Sequence, residues 1–125
     1  MRRLFCLLFT PLITNSFSQI LEPVKWEART EPVINSDLEY DIIFTAIVDD
    51  KWAIYSQNVE EGGPLPTIVS FSASKDYKLV GLTTESDLNK ETKFDSVFQM
   101  RVSKFYSKAI FSHRIKIQNS KRMFG

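Results

Sequence analysis

Cysteine and histidine each occur once in these 125 residues. A single thiol cannot close an internal disulfide, and one thiol with one imidazole cannot supply a Cys/His zinc site of the usual kind. Glycine (4) and proline (5) are too sparse for a low-complexity or collagen-like chain. An excess of either charge is also missing: Lys and Arg total 16, Asp and Glu 15, for a net charge of +1. That balance excludes nucleic-acid binding through bulk charge, and it excludes an acidic disordered tail. No apolar run approaches the roughly 20 residues that a membrane-spanning helix needs. What the chain has is bulk. It is 43% hydrophobic, with ten Phe, four Tyr and two Trp, core material for one domain rather than two.

The first residues read as a targeting segment. Met1-Arg2-Arg3 is a positive start, Leu4 to Ile13 is a short apolar run, and Ser16-Phe17-Ser18 places small residues at the −3 and −1 positions of a cleavage site. The expected signal peptide is residues 1–18, cut before Gln19. The exported chain, residues 19–125, then holds no cysteine, because Cys6 departs with the leader. Thiol exchange by its own atoms is thereby excluded. The expected location is periplasmic or secreted.

The remainder alternates with period two. Leu38, Tyr40, Ile42, Phe44, Ala46 and Val48 fall on one side of an expected strand. Asp49-Asp50-Lys51 reads as a turn into Trp52 to Ser56, so these two stretches are expected to form a hairpin. Trp52 and Tyr55 are expected on opposite faces, with Trp52 in the core. Gln57 to Pro66 reads as a loop. Thr67 to Ala73 and Tyr77 to Thr83 read as strands, the second without a clear inward face. Thr84 to Thr92 reads as a polar loop. Phe94, Phe98, Met100 and Val102 share a parity. Ala109, Phe111, His113, Ile115 and Ile117 form the clearest face after the first. No long stretch carries a helical stripe. Six or seven short strands with polar turns suggest an all-β sandwich, with a closed barrel as the alternative.

Groups able to do chemistry are few. His113 is the only imidazole, and its neighbour Ser112 points to the other face of a strand, so a nucleophile pair is not expected. Glu39 and Asp41 share a strand face and read as a solvated surface rather than a glycosidase pair. Asp49, Asp50, Glu60 and Glu61 match no calcium loop. Lys121-Arg122 is too short for a nucleic-acid or membrane patch. No catalytic residue, metal or cofactor is expected, and the inventory gives no support for an enzyme acting alone.

Asp50-Lys51-Trp52-Ala53-Ile54-Tyr55-Ser56, followed by Gly62-Gly63-Pro64-Leu65-Pro66-Thr67, resembles the N-terminal domain of DsbD-type thiol:disulfide interchange proteins, the disulfide bond corrector family, in its Bacteroidetes-like form. Pro23-Val24-Lys25-Trp26, Phe94-Asp95-x-x-Phe98 and Phe111-Ser112-His113-Arg114-Ile115 sit at similar positions, so the resemblance spans residues 22–117. It implies an immunoglobulin-like β-sandwich. It also implies a place in periplasmic electron transfer and cytochrome c biogenesis, with thioredoxin-fold oxidoreductases or a membrane electron-carrier domain as partners. Phe94 is the expected cap-loop aromatic. The family's cysteine pair, on a hairpin expected after Ile117, has no counterpart here. The expectation is therefore a redox-silent fragment or docking module truncated before that hairpin, open to edge-strand self-association where the hairpin would pair. The alternative is a free-standing exported β-sandwich serving as a binding or structural module.

Overall fold

The computed structural model describes residues 22–118. The expected leader lies outside them. The described residues form seven strands and no helix: β1 (Val24–Pro32), β2 (Glu39–Val48), β3 (Ile54–Tyr55), β4 (Tyr77–Glu85), β5 (Lys90–Asp95), β6 (Met100–Phe105) and β7 (Lys108–Ile117). They pair, all antiparallel, into a four-stranded sheet ordered β1-β2-β7-β4 and a three-stranded sheet ordered β3-β6-β5. The described residues are all-β, in two sheets.

β7 shows why the sequence folds this way. Ala109, Phe111, His113, Ile115 and Ile117 are all buried, while Arg114 and Lys116 between them are exposed. That alternation is the signature of a strand with one face on a core. Opposite β7, Ala46 and Val48 of β2 are buried with Phe111, Ala109 and Phe105, and Ile54, Val69, Val24 and Phe44 pack around this cluster. The Phe105 ring meets Phe111 edge-on with centroids 5.6 Å apart, joining the two sheets through aromatic contact.

β4–β5 and β6–β7 are the two arms of one long ribbon. The β4/β7 ladder ends at Glu85 opposite Phe111, and the β5/β6 ladder begins at Lys90 opposite Phe105. Between them Ser86 N–H donates to Ile110 O (2.9 Å), and Tyr106 N–H donates to Asn89 O (3.3 Å). The ribbon thus bends from one sheet into the other without losing its pairing. The corner is tight enough to place Asn89 (φ 64°) and Ser107 (φ 66°) in the left-handed region.

Several sequence expectations need correction. β2 and β3 form no hairpin. Both edges of β2 are occupied, by β1 and β7, so the chain turns at Lys51 (φ 70°) and crosses to the other sheet. Trp52 is not in the core but 46% exposed in this crossing. Thr67–Ala73 is not a laddered strand: Thr67 N–H bonds Ser56 O, and then the segment departs toward the first sheet. The polar loop before β5 ends at Asn89, since Lys90, Glu91 and Thr92 are strand. The parity shared by Phe94 and Val102 breaks at the hairpin turn. Phe94 stands opposite Arg101, whereas Val102 stands opposite Lys93. The unassignable face of β4 has a cause as well. Between Val80 and Thr84 three residues face only His113 on β7, a bulge around Gly81 (φ 71°), and the inward positions on either side of it mix apolar Tyr77 and Leu79 with polar Thr83 and Glu85. Finally, β7 lies between β2 and β4, so its two edges are both paired. Among the described residues the open edges are those of β1, β4, β3 and β5.

The core assignment has a direct test. Phe111→Ala should destabilise the domain by about 3–5 kcal/mol. Phe94→Ala, at a 59% exposed position, should cost well under about 1 kcal/mol. Urea melts of the two variants would check this, and equal losses would contradict the packing described.

Candidate functional site

The motif that carries the resemblance folds into a wrap at the end of β3. Tyr55 O accepts a 2.6 Å hydrogen bond from Thr67 Oγ1, which brings the two halves of the motif together. Between them the chain reverses at Gly62, whose φ of 90° suits glycine alone. Gly63 is sterically fixed: a Cβ there would lie 2.8 Å from Val59 Cγ1, 3.0 Å from Met100 Sδ and 3.1 Å from Glu60 O. Pro64 is buried and Pro66 half-buried. The Lys104 ammonium sits 5.5 Å from the centroid of the Tyr55 ring. Trp52 stands apart from this wrap, in the exposed crossing. Phe94 lies on β5, across β6 from the wrap, and not in a loop.

Just beyond Tyr55 lies a polar cluster that no sequence pattern announced. Ser56 is 1% exposed, and its hydroxyl donates to Glu85 Oε2 at 2.5 Å. Gln57 N–H donates to the other oxygen, Glu85 Oε1, at 2.9 Å. Lys90 Nζ reaches Glu85 Oε2 at 2.8 Å and Asp87 Oδ1 at 2.8 Å. The Glu85 side chain is only 4% exposed. Burial by itself would raise its carboxyl, since it penalises the charged form. The hydrogen bonds from Lys90, Ser56 and Gln57, with the charge of Lys90, outweigh this and hold the group below its ordinary value. Lys90 is raised in turn, by hydrogen bonds to Asp87 and Glu85. The cluster ties the end of β3, the end of β4 and the start of β5 together at the ribbon corner. Its one hydroxyl is buried and already donates, so its role is architectural.

His113, the single imidazole, faces inward on β7. Its Nδ1 is 2.7 Å from Thr83 Oγ1, and Phe71 meets the ring edge-on at 5.1 Å between centroids. Its Nε2 is buried without a hydrogen-bond partner among the described residues. Ser112 lies on the opposite face, its hydroxyl 3.0 Å from Thr84 Oγ1. Glu39 and Asp41 lie opposite Lys116 and Arg114, and Arg114 grips Asp41 with two hydrogen bonds of 2.9 and 3.1 Å. That pairing holds Asp41 below the usual carboxylate range. Among the described residues, no three His, Cys, Asp or Glu side chains gather as metal ligands would.

The least finished part of the surface is on the β1 side. Trp26 is 49% exposed, although its ring contacts Phe111 at 6.0 Å. With Phe44, Ile68, Val69 and Ser70 it lines an apolar cleft of about 280 Å³. Along this cleft Thr67, Val69 and Phe71 turn partly inward while Ile68 and Ser70 turn outward, as in a strand. Phe71 packs on Phe44 (5.9 Å) and on His113. Yet among the described residues the backbone groups of Ile68 to Phe71 make no hydrogen bond. The strand expected over Thr67 to Ala73 has a strand's alternation here and lacks its ladder.

Two consequences can be measured. Gly63→Ala should lower stability by about 1–3 kcal/mol, because Val59, Met100 and the Glu60 carbonyl must move to admit the methyl. Glu85→Gln should cost about 2–4 kcal/mol at neutral pH, since it leaves Lys90 and Ser56 without their buried acceptor charge. The sign of the pH effect follows from the lowered carboxyl. Its contribution is fully present above the unfolded-state value of about 4.3 and fades as pH falls through the lower folded-state value. Thermal melts should therefore show a steeper acid limb in the parent than in Glu85→Gln.

Comparison with protein-family models, with curated proteins and with solved structures finds no match to this chain.

Proposed function

We propose that this chain is an exported protein-binding module that accepts an extended segment of its partner along Ile68 to Phe71. One observation carries the reading: four consecutive residues with the side-chain alternation of a strand and no backbone partner among the described residues, beside an apolar cleft. Unpaired N–H and C=O groups along an edge are a template for another strand. Main-chain bonds would supply affinity there, and Trp26, Phe44 and Ile68 would select apolar side chains from the incoming segment.

The motif resemblance supports a partner class. In this reading the chain is a redox-silent relative of the N-terminal domain of thiol:disulfide interchange proteins, located in the periplasm. It docks thioredoxin-fold oxidoreductases through residues that exchange no electrons, since residues 19–125 contain no cysteine. The division of seven strands into four and three supports an immunoglobulin-like sandwich as the scaffold. That scaffold is part of the proposal, with β7 taking the place beside β2. The alternative, a free-standing module with unrelated partners, shares the same edge and differs only in what is captured.

A photo-reactive amino acid at Ile68 should capture thioredoxin-fold proteins from a periplasmic extract, while the same group at Leu82, on the far edge strand, should not. Ile68→Lys, at a 76% exposed position, should abolish capture and leave the melting temperature unchanged, as surface substitutions usually do within about 0.5 kcal/mol. Equal capture at both positions, or capture without any thioredoxin-fold protein, would overturn the reading.

A further inference from the structure

β1 is the other open edge, and its chemistry differs from that of Ile68 to Phe71. It is a nine-residue strand that, among the described residues, is paired on one side only, to β2. It has neither a bulge nor an interior proline; Pro32 is its last residue. From Lys25 onward every residue is exposed. Natural edge strands are usually blunted by bulges, prolines or charged side chains. Here the outward side chains read Lys25, Glu27, Arg29, Glu31, a strict alternation of sign along one face.

We infer that β1 is a self-association edge, and that its occupant is β1 of a second copy of this chain. In an antiparallel pair of identical strands related by a twofold axis, residue i faces residue j and j faces i. With the axis at Ala28, Lys25 stands opposite Glu31 of the second copy, and Glu27 stands opposite Arg29 of the second copy. Each contact occurs twice by symmetry, and all are of opposite charge. Sliding the register by two residues destroys this. An axis at Glu27 sets Lys25 against Arg29 and Glu27 against itself. An axis at Arg29 sets Glu27 against Glu31 and Arg29 against itself. The charge sequence therefore specifies one register against its same-face neighbours, the function that charge patterns serve in other self-pairing elements.

Two further observations agree. Within one copy Glu31 lies opposite Asp41 across the β1/β2 ladder, with Arg29 on the first carboxylate and Arg114 on the second, and Lys25 of the second copy would add a further cation beside this acidic pair. On the inner face the same register brings Thr30 of the second copy opposite Trp26, whose ring is half exposed in the single chain. The result is a continuous eight-stranded sheet, β4-β7-β2-β1 followed by its twofold image, with both three-stranded sheets on the same side. This inference rests on β1 alone and stands apart from the reading of Ile68 to Phe71.

The test is sedimentation of the purified full chain over a concentration series. A reversible dimer is expected. Glu27→Lys, and separately Arg29→Glu, should each raise the dissociation constant at least about tenfold by turning symmetric attractions into repulsions. The double variant Glu27→Lys with Arg29→Glu restores opposite signs across the axis and should return to within a few-fold of the parent. In a Cys6→Ser background, Ala28→Cys should form an intermolecular disulfide on mild oxidation. Residues facing each other across an antiparallel pair have Cα atoms about 4.5–5.5 Å apart, within bridging range. A parent that stays monomeric to about 1 mM, far above the concentration at which a stable interface assembles, would overturn the inference. So would a dimer indifferent to the charge reversals, or an Ala28→Cys chain that does not cross-link.

Discussion

A buried carboxylate at the bend of a ribbon is the constraint around which the rest of this molecule is arranged. Glu85 ends β4, and five residues later Lys90 begins β5 in the other sheet. Their ion pair spans the corner, and Ser56 and Gln57 bring the end of β3 to the same two oxygens. A carboxylate so enclosed is costly unless each lone pair is met by a donor. Here a hydroxyl, a backbone N–H and an ammonium meet it. The cost of burial thereby enforces geometry: departing from this corner would leave a charge unpaired.

The rest of the architecture follows from how the two sheets are joined. They are continuous through the bent ribbon, pinned by Glu85 and filled by the Phe105–Phe111 contact. On the β1 side nothing comparable exists among the described residues. The three-stranded sheet ends in a strand of two residues, and the segment after it packs Phe71 inward without finding a ladder. Trp26 is left half covered. The molecule thus has a well-determined corner and an unfinished opposite border, and both proposed interaction edges lie along that border. The two are separable because one offers unpaired backbone beside apolar side chains, and the other offers a charge pattern complementary to itself.

Legibility in the sequence tracked how simply each strand meets the core. β7 was readable residue by residue because one face is buried along its whole length. β2 was readable for the same reason at Ala46 and Val48. β4 was not, because its inward positions mix Tyr77 and Leu79 with Thr83 and Glu85 on either side of the bulge at Gly81. Phe94 and Val102 misled because a shared parity means a shared face only within one strand, and a hairpin turn separates them. The Glu85 cluster was invisible. Ser56 and Glu85 are 29 positions apart, and a single glutamate in a polar stretch carries no period. Residue type alone puts Trp52 in the core, yet it occupies a crossing between sheets and is half exposed. The partner strand of each element, which decides where a hairpin can form, depended on the occupancy of β2 by β1 and β7 and not on local pattern.

The claim that Glu85 organises the corner is tested most directly by a double-mutant cycle on two residues that meet only through it. Ser56→Ala and Lys90→Met each remove one donor from the carboxylate, and Ser56 and Lys90 share no hydrogen bond among the described residues. Urea unfolding of the parent, both single variants and the double variant should give a coupling energy of about 0.5–3 kcal/mol, because each loss changes what the carboxylate asks of the other donor. Strict additivity would show that the two donors act independently, and would contradict a corner organised by a shared carboxylate.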